Sequence, residues 1–237
     1  MLVSGVTKKG GRPVNEDAWG EVNAGGIECV VVADGLGGHN GGSIASGAAV
    51  EAVIRSFKSE PKFSADTLKK LVEEANGAVM AKAETEPTLV HMSTTIAILL
   101  IKGRNAMWAT VGDTRIYLFE DNMIAEVTED QSLAFADFIS GEIEYDDIRH
   151  SDKQNKLTNA LGAAFGKADI SEPVRVDSRA AFLVCTDGWW EHVREPQMEE
   201  TLKGAYTTHD WLSEMLSIRE EAAPENSDNF TAAAVML

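Results

Sequence analysis

Four acidic segments of this 237-residue chain each sit at one end of a strand-like run. Asp34-Gly35 closes IECVVVA at residues 27–33, where six of seven residues are apolar. Thr186-Asp187-Gly188 closes a second apolar run, AAFLVC, at 180–185. Asn15-Glu16-Asp17 and Ser227-Asp228-Asn229 do the converse, placing acids just before strand-like segments at 18–22 and 230–237. In an antiparallel sheet, strand ends and strand starts share an edge, so Asp17, Asp34, Asp187 and Asp228 can converge from four distant parts of the chain. Carboxylates gathered in this way raise one another's pKa unless a cation neutralises them. Oxygen donors with no Cys or His beside them suit Mg²⁺ or Mn²⁺, and the constellation reads as a metal centre.

The elements that must position these acids are legible from periodicity. The run at 27–33 reads as a strand buried on both faces. Asp-Gly is also a common hairpin dipeptide, but Gly37, Gly38, Gly41 and Gly42 intervene before a helical pattern rather than a returning strand. A ligand-approaching loop is expected there, without the Gly-Lys-Ser/Thr ending of a P-loop. A helix follows at 43–57, its buried stripe Ile44, Ala48, Ala49, Ala52 and Val53, with Gly47 allowing close packing on a sheet. A second helix starts at a Ser64 cap and buries Leu68, Leu71, Val72, Ala75 and Val79. Residues 2–6 read as a first or edge strand. Residues 92–101, 106–111 and 116–120 read as antiparallel hairpins, and 171–176 with 179–185 as another around Asp177-Ser178. Residues 128–162 change character: Asp130-Gln131-Ser132 starts a short helix, Gly141 interrupts it, and acids gather before a polar stretch. A long insertion of this kind usually covers a site. Trp189-Trp190 continues as a helical turn, and a last helix at 210–221 carries Trp211, Leu212, Met215, Leu216 and Ile218 mostly on one face. Cys29 and Cys185 lie inside apolar runs and read as small buried hydrophobes.

Seven segments, in order, carry a family resemblance: Arg12-x-x-Asn15-Glu16-Asp17, Asp34-Gly35-x-Gly37-Gly38-His39, Ser93-Thr94-Thr95, Gly112-Asp113-Thr114-Arg115, Leu157-Thr158-Asn159-Ala160-Leu161-Gly162, Thr186-Asp187-Gly188 and Asp228-Asn229. On them the chain resembles the metal-dependent protein phosphatases of the protein phosphatase 2C family, in their short bacterial form. The resemblance implies an α+β fold, a four-layer α-β-β-α sandwich of two antiparallel sheets flanked by paired helices. It also implies one catalytic domain over residues 1–237, with a flap at about 129–162. The implied activity is hydrolysis of phosphoserine and phosphothreonine on proteins by a metal-activated water at a two-metal centre. In it Asp34 bridges two ions, Asp187 and Asp228 complete one, the Gly35 carbonyl binds the other, and Glu16 and Asp17 orient its waters or ligate it. Asp113 helps Asp187 hold a third, weaker ion, and Glu191 accepts a metal-bound water where related enzymes often have an Asp. Arg12 is assigned to the substrate phosphate. Thr114 replaces the usual Ser and keeps the hydroxyl. Leu36 stands where some members have a His, so the default proton donor is a metal-bound water. His150 reads as solvated, and His39 as packed or hydrogen-bonded within its loop.

Composition narrows the classes. Hydrophobic residues make up 44% and charged residues 25%, ordinary for a globular protein. With 38 acidic against 21 basic residues the net charge is −17, which excludes a phosphate-backbone binder and so nucleic acid. No run approaches the ~20 apolar residues of a membrane-spanning helix. The expectation is a cytoplasmic monomer, serving signal transduction, whose partners are phosphorylated proteins and an opposing Ser/Thr kinase. Two other readings stay open: a catalytically silent member acting as a phosphoprotein-binding module, and a small-molecule phosphomonoesterase.

Overall fold

A computed structural model describes residues 1–37, 41–85, 89–162 and 165–237. The strand β3 (Ile27–Leu36) explains the layering by itself. Cys29, Val31 and Ala33 point into one apolar cluster and Val30 and Val32 into another, so both faces of this strand must be covered. Helices α1 (Gly41–Ser59) and α2 (Ala65–Thr85) cover the first face, and a second sheet covers the other.

The sheet holding β3 also contains β2 (Asp17–Ala24), β4 (Ser93–Thr94), β5 (Ile96–Lys102), β6 (Asn105–Val111), β9 (Asp169–Ile170) and β10 (Val174–Arg175). Its order is β10-β6-β5-β3-β2, with β4 pairing on β3 and β9 on β6. The second sheet runs β1 (Leu2–Lys8), β12 (Phe230–Met236), β11 (Ala181–Cys185), β7 (Arg115–Glu120) and β8 (Met123–Val127). Its outer face packs on α4 (Asp187–Trp190), α5 (Glu195–Gly204) and α6 (Thr208–Ala222), around the buried Trp189, Trp190 and Trp211. Every strand pairing is antiparallel. The architecture is therefore the expected α-β-β-α sandwich. Among the described residues, no helix is long and apolar enough to cross a membrane.

Ser64 accepts a hydrogen bond from the Thr67 N–H, and α2 buries all five residues read from its periodicity. Ser132 caps α3 (Leu133–Ser140), which ends at Gly141 in the left-handed region at φ 79°. Several expectations need correction. Helix α1 begins at Gly41, two residues early, and buries Ala45 and Phe57 while Ile44 and Ala48 are only half-buried. Gly47 faces open space; the close approach is made by Gly20 on β2, against Val50 and Ile54. The segments on either side of Gly112–Arg115 are not a hairpin, because β6 and β7 belong to different sheets. Nor are 171–176 and 179–185: β10 pairs with β6, whereas β11 pairs with β7 and β12. Both crossings have the same cause, since Val176, Ala180 and Ile116 bury themselves between the sheets and draw the chain across. Ile218 is half-buried, and Arg219 takes the buried position beside it. Strand β8 and helix α5 add to the expected order, β8 following a turn at Asp121 and Asn122 in which both φ angles are positive (50° and 64°). The reading of His39 falls outside the described residues.

The two sheets also meet at their edge strands, β1 and β2. There the Trp19 ring lies so close to Gly5 that a β-carbon on Gly5 would overlap it. Gly5→Val should therefore displace the indole and destabilise the fold by about 1–3 kcal/mol. Urea denaturation should show a lower midpoint with an unchanged slope, and a wild-type midpoint would mean that the ring moves aside without cost.

Candidate active site

The row of side chains between the two sheets is apolar along most of its length and polar at one end. On β3 it reads Val30, Val32 and then Asp34; on β2, Trp19 and then Asp17. On β11 it reads Phe182, Val184 and then Thr186; on β12, Val235, Ala233 and then Thr231. On β5 it reads Leu99, Ala97 and then Thr95, and β7 continues back from Leu118 and Ile116 to Thr114. The alternation of strand side chains thus carries these rows from core to mouth, with Thr95, Thr114 and Thr186 one residue beyond the ends of β5, β7 and β11. The hydroxyls bond across the gap between sheets: Thr95 with Thr114 at 2.6 Å, and Thr186 donating to Asp17 at 3.0 Å.

Asp17 stands directly opposite Asp34 in the β2–β3 register. Like charges placed so are destabilising, so the backbone must hold them there. The Asp34 N–H donates to the Thr95 hydroxyl at 2.9 Å, and its carbonyl accepts from the Thr95 N–H at 2.9 Å and the Thr94 hydroxyl at 2.7 Å. Gly35 and Gly42 touch backbone to backbone, and a β-carbon on Gly42 would also strike the Glu16 carboxylate. Asn229 ties its own loop to the one between β1 and β2 at three points: its side-chain oxygen accepts from the Glu16 N–H, and its amide donates to the Lys9 and Val14 carbonyls. Glu16, Asp34, Gly35, Asp113, Asp187 and Asp228 then line a cleft of about 460 Å³, with Arg12 on its rim. Arg12 donates to Asp228 at 2.8 Å, and both side chains are substantially exposed. Asp17 and Glu191 do not line the cleft.

The segment 129–162 supplies Asn155 and Leu157 to the cleft, and Gln154, buried, donates to Asp187 at 3.1 Å. Its base is fixed by buried charge pairs. Arg115 grips Asp130 with two bonds of 2.8 and 2.6 Å and stacks 3.6 Å over Trp190, whose indole N–H donates to the Asp113 carbonyl. Arg149 pairs with Glu195 at 2.6 Å and donates to the Trp190 carbonyl. His150 is exposed and lies off the cleft. Cys29 and Cys185 are buried free thiols whose pKa burial pushes up.

Electrostatically the cluster is short of positive charge. Burial pushes the Asp17 carboxyl up to about 7, with Asp187 and Asp228 adding repulsion. Burial likewise raises Asp34, which is also repelled by Asp17, Asp187, Asp113 and Asp228. Asp113 rises through burial and then Asp187, and Asp187 through burial and then Asp228. Glu191 is pushed up to about 8 by burial and by the same two acids. One Asp17 oxygen, Oδ1, is buried with no hydrogen-bond partner. Among the described residues, no three acid, His or Cys side chains close on one point to cage a single ion. An all-oxygen set spread round an open cleft, with one carboxylate oxygen left over, fits hard divalent cations that keep several of their waters. The threonine layer and Asn229 were not read as site residues from the sequence; their signal was strand parity, since each threonine continues an apolar inward row.

The sequence family with the profile "Protein phosphatase 2C" matches residues 7–227. The chain is 34% identical over 184 residues to the serine/threonine phosphatase stp of Listeria monocytogenes, covering 75% of this chain and 73% of that one. It is 30% identical over 196 residues to the serine/threonine protein phosphatase PstP of Mycobacterium tuberculosis, covering 81% of this chain and 37% of that one. The crystal structure of the M. tuberculosis phosphatase PstP/Ppp superposes with a TM-score of 0.89 at 23% identity, over 99% of this chain and 97% of that one. A PstP catalytic domain in complex with two manganese ions superposes at 0.86 and 22% identity, over 99% and 97% of the two chains. The chain belongs to the protein phosphatase 2C family, in its short bacterial form. It is a serine/threonine protein phosphatase.

The raised carboxyls make the stability of the metal-free protein depend on pH. Asp17 and Glu191 ionise ordinarily at 3.8 and 4.5, but in the fold at about 7 and about 8, so between these limits the folded chain holds protons that the unfolded chain has lost. The stability they contribute is full below the ordinary values and is lost as pH rises through the folded ones. In chelator, the melting temperature should fall from pH 5 to pH 8 and then level off. A melting temperature that rose through this window would contradict the charge assignment.

Proposed function

We propose that the chain hydrolyses phosphoserine and phosphothreonine on proteins at two divalent cations, Mn²⁺ or Mg²⁺, held in this cleft, with a third, weaker position beside Asp113. The observation that carries the reading is Asp17 facing Asp34 at the mouth of the sandwich, with Asp113, Asp187 and Asp228 around them and an Asp17 oxygen left without a partner. The two manganese ions of the related PstP catalytic domain support it.

In this reading Asp34 would be shared by both ions, Asp187 and Asp228 would complete one, and the Gly35 carbonyl would bind the other. Glu16 and Asp17 would orient its waters or ligate it, Asp113 and Asp187 would hold the third position, and Glu191 would accept a hydrogen bond from a bound water. When bound, the cations supply positive charge that makes water a stronger nucleophile at neutral pH and offsets charge on the phosphoryl oxygens. The chain's own contribution is position. The Thr94–Thr95 clamp keeps Asp34 from recoiling from Asp17, and Asn229 holds the Glu16 backbone against the rim. Arg12, paired with Asp228 by one arm, has further guanidinium donors for the substrate phosphate, and Asn155 and Leu157 of the flap form the wall that a peptide would meet. Neither a silent binding module nor a small-molecule phosphomonoesterase is favoured, since the relatives at 34% and 30% identity carry the names of protein phosphatases. The chain is read as one domain, monomeric and cytoplasmic, facing an opposing Ser/Thr kinase.

Phosphopeptide hydrolysis should vanish in chelator and return with Mn²⁺. Asp34→Asn should cost more than the roughly 10–100-fold typical of losing an outer partner, and more than Asp113→Asn. Single-turnover rates at saturating metal would rank them; full activity in protein shown by elemental analysis to be metal-free would end the two-ion reading.

Arg12 makes a separate claim. With a net charge of −17, long-range forces repel a phosphopeptide, but at ~0.15 M salt distant acids are screened beyond about 8 Å and the local cation dominates. Arg12→Ala should raise KM clearly more than it weakens Mn²⁺ binding, and Arg12→Lys should restore only part, because an ammonium lacks the two-pronged fork. Unchanged KM and kcat with reduced metal affinity would make Arg12 a partner of Asp228 alone.

A further inference from the structure

Pairing between β11 and β12 stops just short of the acids. The last paired residues are Cys185 and Ala232, followed by Thr186 and Thr231, which exchange bonds between their main chains and the Thr186 hydroxyl. Beyond them the chain leaves the sheet: Asp187-Gly188 turns into α4, and residues 227–229 arrive from a loop. The sheet ladder therefore does not set the distance between Asp187 and Asp228. Contact across the gap is tight, since a β-carbon on Gly188 would strike the Asn229 carbonyl.

One side chain spans this gap from behind. Arg219, on α6, is 3% exposed, at a helix position where the periodicity anticipates a hydrophobe. Its Nε donates to the Gly188 carbonyl at 3.1 Å, and its Nη2 donates to the Ser227 hydroxyl at 3.1 Å and the Asp228 carbonyl at 3.3 Å. The guanidinium lies 3.5 Å over the Phe230 ring, which fixes its plane. Burial lowers its pKa to about 10, so it stays cationic at neutral pH. We infer that Arg219 is a positioning residue that fixes the spacing of Asp187 and Asp228 by holding the Gly188 and Asp228 backbones on one rigid fork. A buried arginine is expensive to desolvate, and its donors here go to the two segments that carry the acids. A lysine cannot reproduce this planar arrangement of donors.

The inference rests on the metal-centre reading, and the test separates the two. Metal-free protein is titrated with Mn²⁺ and free Mn²⁺ is followed by electron paramagnetic resonance, for wild type, Arg219→Met, Arg219→Lys and Leu212→Ala. Leu212 is buried on the same helix, so its truncation loosens α6 without removing the fork. Arg219→Met should weaken Mn²⁺ binding about 10–100-fold, the loss typical of an outer-shell partner. Arg219→Lys should fall between it and wild type, and Leu212→Ala should lower the melting temperature with Mn²⁺ affinity unchanged. If wild type binds no Mn²⁺, the metal-centre reading fails and the inference with it. If wild type binds and both Arg219 variants match it, or Leu212→Ala loses as much as Arg219→Met, only the positioning role is overturned. Should Arg219→Met not fold, Arg219→Lys decides: wild-type affinity there rejects the fork.

Discussion

Two carboxylates facing each other across adjacent strands, Asp17 and Asp34, are the arrangement on which the rest of this molecule depends. Left alone they would push β2 and β3 apart at that end. The fold resists by making the opposition a small fraction of a large apolar interface: the strands that carry the acids also carry Trp19, Val30 and Val32 into the inter-sheet core. Thr94, Thr95, Thr114, Thr186 and Thr231 then line the transition from core to mouth, with hydroxyls that bond to the Asp17 carboxylate, to the Asp34 backbone and to one another. The site is the polar end of the same side-chain rows that build the core.

Positive charge is placed round this cluster by location. Arg219 lies beneath it and donates to the Gly188 and Asp228 carbonyls and the Ser227 hydroxyl; Arg12 is at the rim and touches Asp228. Arg115 donates twice to Asp130 and also to the Tyr117 and Tyr145 hydroxyls, and reaches none of the cleft carboxylates. None of the three sits among the carboxylates, and the raised pKa values of Asp17, Asp34, Asp113 and Asp187 register that shortage. A fold that minimised its own free energy would have placed a cation side chain there or dispersed the acids. Strain of this kind is concentrated where a ligand relieves it.

The strand-end acids were legible because abrupt apolar runs ending on Asp-Gly fix both the element and the edge it reaches. The helix at Ser64 and the cap at Ser132 were legible because capping chemistry is local. The crossings at Gly112–Arg115 and at 176–180 were not, since a strand–turn–strand pattern reads the same whether the second strand returns to its own sheet or passes to the other. Gly47 misled because a glycine in a helix implies close approach only if something lies opposite, and there nothing does. Arg219 was invisible for a related reason: a charged residue late in a helix reads as surface, and its burial follows from the loops it holds, which belong to other parts of the chain. The threonines could have been found by carrying strand alternation past the last apolar residue.

The central claim is that these acids are assembled for cations, and anomalous diffraction from crystals grown in Mn²⁺ tests it most directly. The account predicts two strong peaks in the cleft about 3.5–4 Å apart, both within bonding distance of Asp34, with Asp187 and Asp228 on one of them. Peaks confined to surface acids, with no ion bound at Asp34, Asp187 or Asp228, would contradict it.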